Sequence, residues 1–179
     1  MVVSSHDLKR WKDNSIKLAL KLGLDKNIID FIDKNTKLKI ISGLPPKGMW
    51  YGWCMYDNKN PVIEVYSKNL STEDISVAIA SLKSKGLPQK LIDEIVEIYN
   101  EIGKPEFFEV YNQSGMDHEL IGHLYNHLKG LSHDEKAASK TQIMFAKARS
   151  GLLIGRNWKK ILKIMPIVLA YHKGIDELK

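Results

Sequence analysis

Apolar residues recur at helical spacing over residues 5–22, where Leu8, Trp11, Leu18 and Leu22 share one face, and a second short helix is predicted from Asp25 to Asp33. The period then shortens. Lys37 to Ile41, Trp50 to Tyr56 and Val62 to Tyr66 are rich in β-branched and aromatic residues and are bounded by turns at 43–48 and 57–61, so they read as strands. The last two should form a hairpin within a three-stranded antiparallel sheet. Near Ser71 the helical period returns, with Ser71-Thr72-Glu73-Asp74 capping a helix that Gly86 stops, and a second helix running from Pro88 to Ile102 before Gly103. Phe107 to Tyr111 reads as a short extended segment. Ser114 to Asp117 then caps a helix that reaches Lys129 and ends at Gly130. A helix over 133–149 turns Ala137, Thr141, Phe145 and Ala148 inward, and a last one over 156–173 is expected to bend near Pro166. The reading is α+β and a single domain over 1–179, with N-terminal helices and a small antiparallel sheet in 1–70 and a helical part in 71–179.

Composition narrows this picture more than it changes it. A chain of 179 residues, 44 % apolar and 27 % charged, is long enough to bury roughly 70 per cent of its unfolded surface and to enclose a site without disulfides. Its single cysteine, Cys54, excludes a Cys-x-x-Cys metal site, so any zinc must be held by histidine and carboxylate. Neither a charged leader with an apolar run nor a long apolar stretch is present, which points to a cytoplasmic protein with no membrane association. The formal charge of +6 comes almost wholly from lysine, with arginine only at Arg10, Arg149 and Arg156. Lysines scattered among acids support a nucleic-acid partner weakly. The one concentrated patch, Arg156-Asn157-Trp158-Lys159-Lys160 with Lys163, suits an acidic partner or a phosphate, or simply an exposed helix face.

The densest chemistry lies in Asp117-His118-Glu119-Leu120-Ile121-Gly122-His123, followed twelve residues later by Glu135. Two histidines around a glutamate, with a carboxylate on the next segment, suit zinc and the activation of water beside it. The spacing is unusual. On a regular helix, positions i and i+4 lie about 40° apart, whereas i and i+5 lie about 140° apart, so His118 and His123 would diverge. A wide π-type turn absorbs one residue and brings them together, and Gly122 is placed to help it form.

His-Glu-Leu-Ile-Gly-His at 118–123 resembles the His-Glu-Leu-Leu-Gly-His hexapeptide of the dipeptidyl peptidase III family, which belongs to the gluzincin zinc metallopeptidases. The resemblance implies that His118 and His123 bind zinc and that Glu119 is the catalytic base. Glu135, with Ala138 three residues on, is similar to the downstream gluzincin segment, which makes Glu135 the third ligand. The resemblance thus implies a compact gluzincin-like domain, a zinc-dependent metallopeptidase acting on a peptide or protein substrate. In a zincin-like order of elements an edge strand binds extended peptide, and Val62 to Tyr66 is the candidate, with Phe107 to Tyr111 next.

Other readings of the same residues stay open. Ser132-His133-Asp134-Glu135 also fits a capping box, with Asp134 as the alternative ligand. Glu119, His123 and His127 form a continuous stripe on a regular helix and offer a different metal set. Asp117, His127 and His133 are candidates to orient ligand imidazoles. Tyr111, Tyr171 or His172 would supply a donor to a developing oxyanion. The competing functional class is a zincin-like binding protein, for a protein partner or nucleic acid, with a structural metal or none.

Overall fold

The protein is described by a computed structural model that covers residues 1–46, 51–152 and 156–179. Helix α1 (Ser5–Lys21) opens with a reciprocal cap in which Ser4 accepts from the Asp7 N–H and Asp7 accepts from that of Ser4. Leu8, Trp11 and Leu18 are buried as their spacing predicts. Leu22 lies past the helix end and is 41 % exposed. Helix α2 (Lys26–Asn35) is capped by Asp25, whose backbone N–H donates to the Tyr125 hydroxyl at 3.0 Å.

Strands β1 (Lys37–Ile41), β2 (Gly52–Met55) and β3 (Val62–Tyr66) form one sheet in the order β1-β3-β2. The β2–β3 hairpin is as expected, with Gly52 opposite Val65, but β1 runs parallel to β3 with Lys37 opposite Val62. The sheet is therefore mixed, not antiparallel. Alternating burial decides which face of a strand points inward and leaves its partner's direction open. Val62 to Tyr66 is also the central strand, with Ile63 and Val65 fully buried, so it is not the edge that the sequence suggested. That edge is β2. Trp50, the expected start of β2, lies outside the described residues.

Helix α3 (Ile75–Ser84) is capped by Asp74, and α4 (Gln89–Ile102) follows Pro88 and ends at Gly103, which has φ +80°. Helix α5 (Lys104–Met116) starts at once, with Pro105 in its first turn. The extended segment expected at 107–111 is thus helical, and Ser114 does not cap a new helix. Its aromatic and β-branched residues favour a strand in isolation, yet here they pack two ways. Phe108 meets Trp11 with ring centroids 5.7 Å apart, while Val110 joins the cluster around α8. Tertiary packing outweighs the local preference.

The chain continues from α5 as a π-helix over Asp117–Tyr125, then as one α-turn, α6 (Asn126–Leu128). Helix α7 (Glu135–Ser150) packs against this stretch, burying Ala138, Phe145, Ala146 and Arg149. Its inner face is displaced from the expected one, since Ala137 and Thr141 are only half-buried. Helix α8 (Arg156–Lys173) contains Pro166 and is followed by a 3-10 turn at Asp176–Leu178. The main apolar core joins α1, α2, the sheet and the π-helix, and two smaller clusters lie among α3, α4, α5 and α8. No described helix is long and apolar enough to cross a membrane.

Candidate metal centre

Nine consecutive residues, Asp117 to Tyr125, form the wide turn that the spacing of His118 and His123 requires. Several contacts hold it. Arg149 donates to both Asp117 carboxylate oxygens, at 3.0 and 2.7 Å, and Ser15 donates to one at 2.6 Å. The Asn126 side-chain amide donates to the Gly122 carbonyl at 2.9 Å. A Cβ built on Gly122 would lie 2.7 Å from Ala138 Cα and 2.9 Å from its carbonyl oxygen. Glycine at 122 therefore permits contact between the π-helix and α7, and this contact carries Glu135, one turn before Ala138, to the histidines.

The imidazole Nε2 atoms of His118 and His123 lie 3.1 Å apart. Glu135 places one carboxylate oxygen 3.4 Å from the first and the other 3.3 Å from the second. These three residues form a group whose donor atoms converge. The far ring nitrogens are committed elsewhere. His118 Nδ1 is 3.1 Å from Gln142 Oε1, and Gln142 in turn donates to Ser114 at 2.7 Å, while His123 Nδ1 is 2.6 Å from the His133 carbonyl. With both Nδ1–H groups donating, both Nε2 lone pairs face the same point. Two lone pairs so close repel unless a proton or a metal cation lies between them. Tetrahedral zinc with bonds of about 2.0–2.1 Å sets its ligand atoms about 3.3 Å apart, so the donor set and its spacing fit zinc.

The electrostatics divide the histidines. Burial dominates at His118 and pushes its pKa down to about 4, whereas at His123 the burial effect is outweighed by Glu135 and Glu119, which raise it. The two facing imidazoles, aided by Lys173, hold Glu135 well below the usual carboxylate range. Glu119 is the opposite case. It is 6 % exposed, and burial lifts its pKa to about 7 despite the nearby His123 and the Cys54 backbone N–H.

The alternatives fall into place around this group. Asp134 caps α7 by accepting the Ala137 N–H at 2.8 Å, which leaves Glu135 unconstrained by a capping box. His127 is outside the group and stacks on Tyr56 and His133, with ring centroids 4.8 and 4.9 Å away. His133 orients His123 through its backbone carbonyl, and Asp117 orients no imidazole but anchors the turn through Arg149. Of the expected oxyanion donors, Tyr111 and His172 line the adjoining cavity, while Lys179 lies over the Tyr171 ring. The sequence missed Lys173. Its ammonium pairs with Glu135 and lies 3.4 Å from His118 Nε2. No spacing rule links the end of α8 to a motif 50 residues earlier. In the basic patch, Trp158 is buried, Lys160 pairs with Glu101, and Asn157 donates to Glu106 at 3.2 Å. No protein-family model, curated protein or solved structure matches this chain, so the geometry stands by itself as the ground for a functional reading.

Proposed function

We propose that the protein is a zinc-dependent peptide hydrolase with a zincin-like arrangement, in which His118, His123 and Glu135 hold the ion and Glu119 acts as the base. The observation that carries this reading is the convergence of the three ligand groups beside a buried carboxylate that is not one of them. A structural zinc site has no use for that carboxylate. Zinc held by three protein ligands supplies a Lewis acid and lowers the pKa of water at its open fourth position. Glu119, buried beside the ligand group, would accept a proton from that water and return it to a leaving amine. Gln142 and the His133 carbonyl fix the imidazoles. The Lys173 ammonium, paired with Glu135 and 3.4 Å from His118 Nε2, would offer positive charge to a developing oxyanion.

One observation favours the second reading, a metal-free binding protein: the same Lys173 ammonium gives Glu135 a cationic partner without zinc. Elemental analysis of the purified protein separates the two. One equivalent of zinc, with peptide hydrolysis abolished by a chelator and restored by zinc, is the expected result. Protein that takes up no zinc at micromolar concentration would overturn the hydrolase reading and leave the binding one.

A further inference from the structure

A cavity of about 640 Å³ opens on the ligand group and runs inward between α3, α4, α5 and α8. At one end are His118, Glu119, His123 and Glu135. The inner wall is apolar, built from side chains such as Ala78, Leu82, Ile98, Val110, Met165 and Leu169. The volume falls within the range of small-molecule and cofactor sites, about 300 to 1,000 Å³, and far exceeds that of one water. Water is a poor occupant for walls of this kind, since few groups there can bond it.

Tyr99, Tyr111, Ser114 and His172 add polar residues to this lining. Tyr51 immediately precedes β2, and Gly52, Cys54 and Tyr56 line the same cavity. Among the described residues β2 has a strand on one side only.

The geometry points to a specific substrate class, and this rests on the hydrolase reading: an extended peptide with a large apolar residue next to the bond to be cut. Successive side chains of an extended chain point to opposite sides, so one of the two residues at that bond fills the cavity while the backbone pairs with the β2 edge. The β2 edge favours a peptide over a simple acyl chain, which would satisfy the apolar wall and leave the edge unused.

The test uses a fluorescein-labelled heptapeptide with Leu-Phe at its centre, the same peptide with Ser-Gly there, and dodecanoic acid as competitor. Binding is read by fluorescence anisotropy on the Glu119→Gln protein, with and without zinc, and cleavage is read on the parent. The Leu-Phe peptide should bind on the order of 100-fold tighter than the Ser-Gly one. Ala78→Trp, which narrows the cavity, should remove the preference, with circular dichroism checking its fold. Should that variant not fold, the two peptides on the unaltered cavity still decide. Equal binding of the two peptides would overturn the proposal. So would dodecanoic acid binding more tightly than the Leu-Phe peptide. The two readings fail separately: preference without cleavage sinks hydrolysis alone, and cleavage without preference sinks the cavity assignment alone.

Discussion

Glu119 and His123 share a helical turn and have different jobs, so paired substitutions separate chemistry from metal binding. His123→Ala leaves two protein ligands and should abolish zinc retention and hydrolysis together. Glu119→Gln should keep both zinc and fold, while hydrolysis falls by a factor on the order of 10² to 10⁴, the range for loss of a general base. Zinc content and turnover, measured on the same preparations, check this. A Gln variant as active as the parent would remove Glu119 from the mechanism. The convergence of His118, His123 and Glu135 was legible in the sequence because two histidines five apart around a glutamate call for a wide turn. What orients them was not. Gln142 and the His133 carbonyl become partners only through the packing of α7 on the π-helix, and Lys173 only through the placement of α8.

At the scale of elements, the wide turn was predicted from angle alone, whereas the role of Gly122 was not. The glycine was expected to help the wide turn form. In the structure it lets two helices touch, which no local pattern announces. Gly122→Val should therefore act at a distance. It should push α7 outward, move Glu135 from the histidines, weaken zinc binding by at least tenfold, and destabilise the fold by roughly 1–3 kcal/mol, as overpacked sites do. Calorimetric zinc titration and denaturant melts check both, and unchanged zinc affinity would show that α7 tolerates the added bulk. Helix α5 was misread for a reason visible in its residues: Phe107, Phe108, Val110 and Tyr111 carry strand-forming side chains, but Asn112 is buried and bonded to Asn69, Ser71 and the Phe108 carbonyl. Long-range partners of this kind leave no periodic trace. The same holds for β1, whose parallel pairing with β3 no alternation of apolar residues announces.

For the whole molecule, the N-terminal helix is tied to the helical part by Glu109, which accepts two bonds from Arg10 at 2.6 and 2.7 Å and one from the Trp11 indole at 3.1 Å. Burial alone would raise the pKa of Glu109, but these bonds outweigh it and the pKa is lowered. A carboxylate depressed on folding adds stability that is fully present above its unfolded pKa, about 4.3, and disappears as pH falls through the lower folded value. Stability should thus decline below pH 4 in the parent and less steeply in Glu109→Gln. Urea melts from pH 7 to pH 3 measure the difference, and identical slopes would show that Glu109 does not carry the acid response.

The anchored π-turn also bears on how an ion would enter. Arg149 and Ser15 on Asp117, Asn126 on the Gly122 carbonyl, and Ala138 against Gly122 are all contacts made by the protein itself. Little backbone ordering is then left for zinc to impose, unlike domains that fold only around their metal. Zinc should raise the melting temperature by mass action, with about 2.7 kcal/mol gained at a hundred times its Kd, while the far-ultraviolet circular dichroism stays unchanged. A gain of helical signal on adding zinc would show that the ion builds the turn. Otherwise the entropy of closing this loop of chain is met during folding, and the ion arrives at a finished seat.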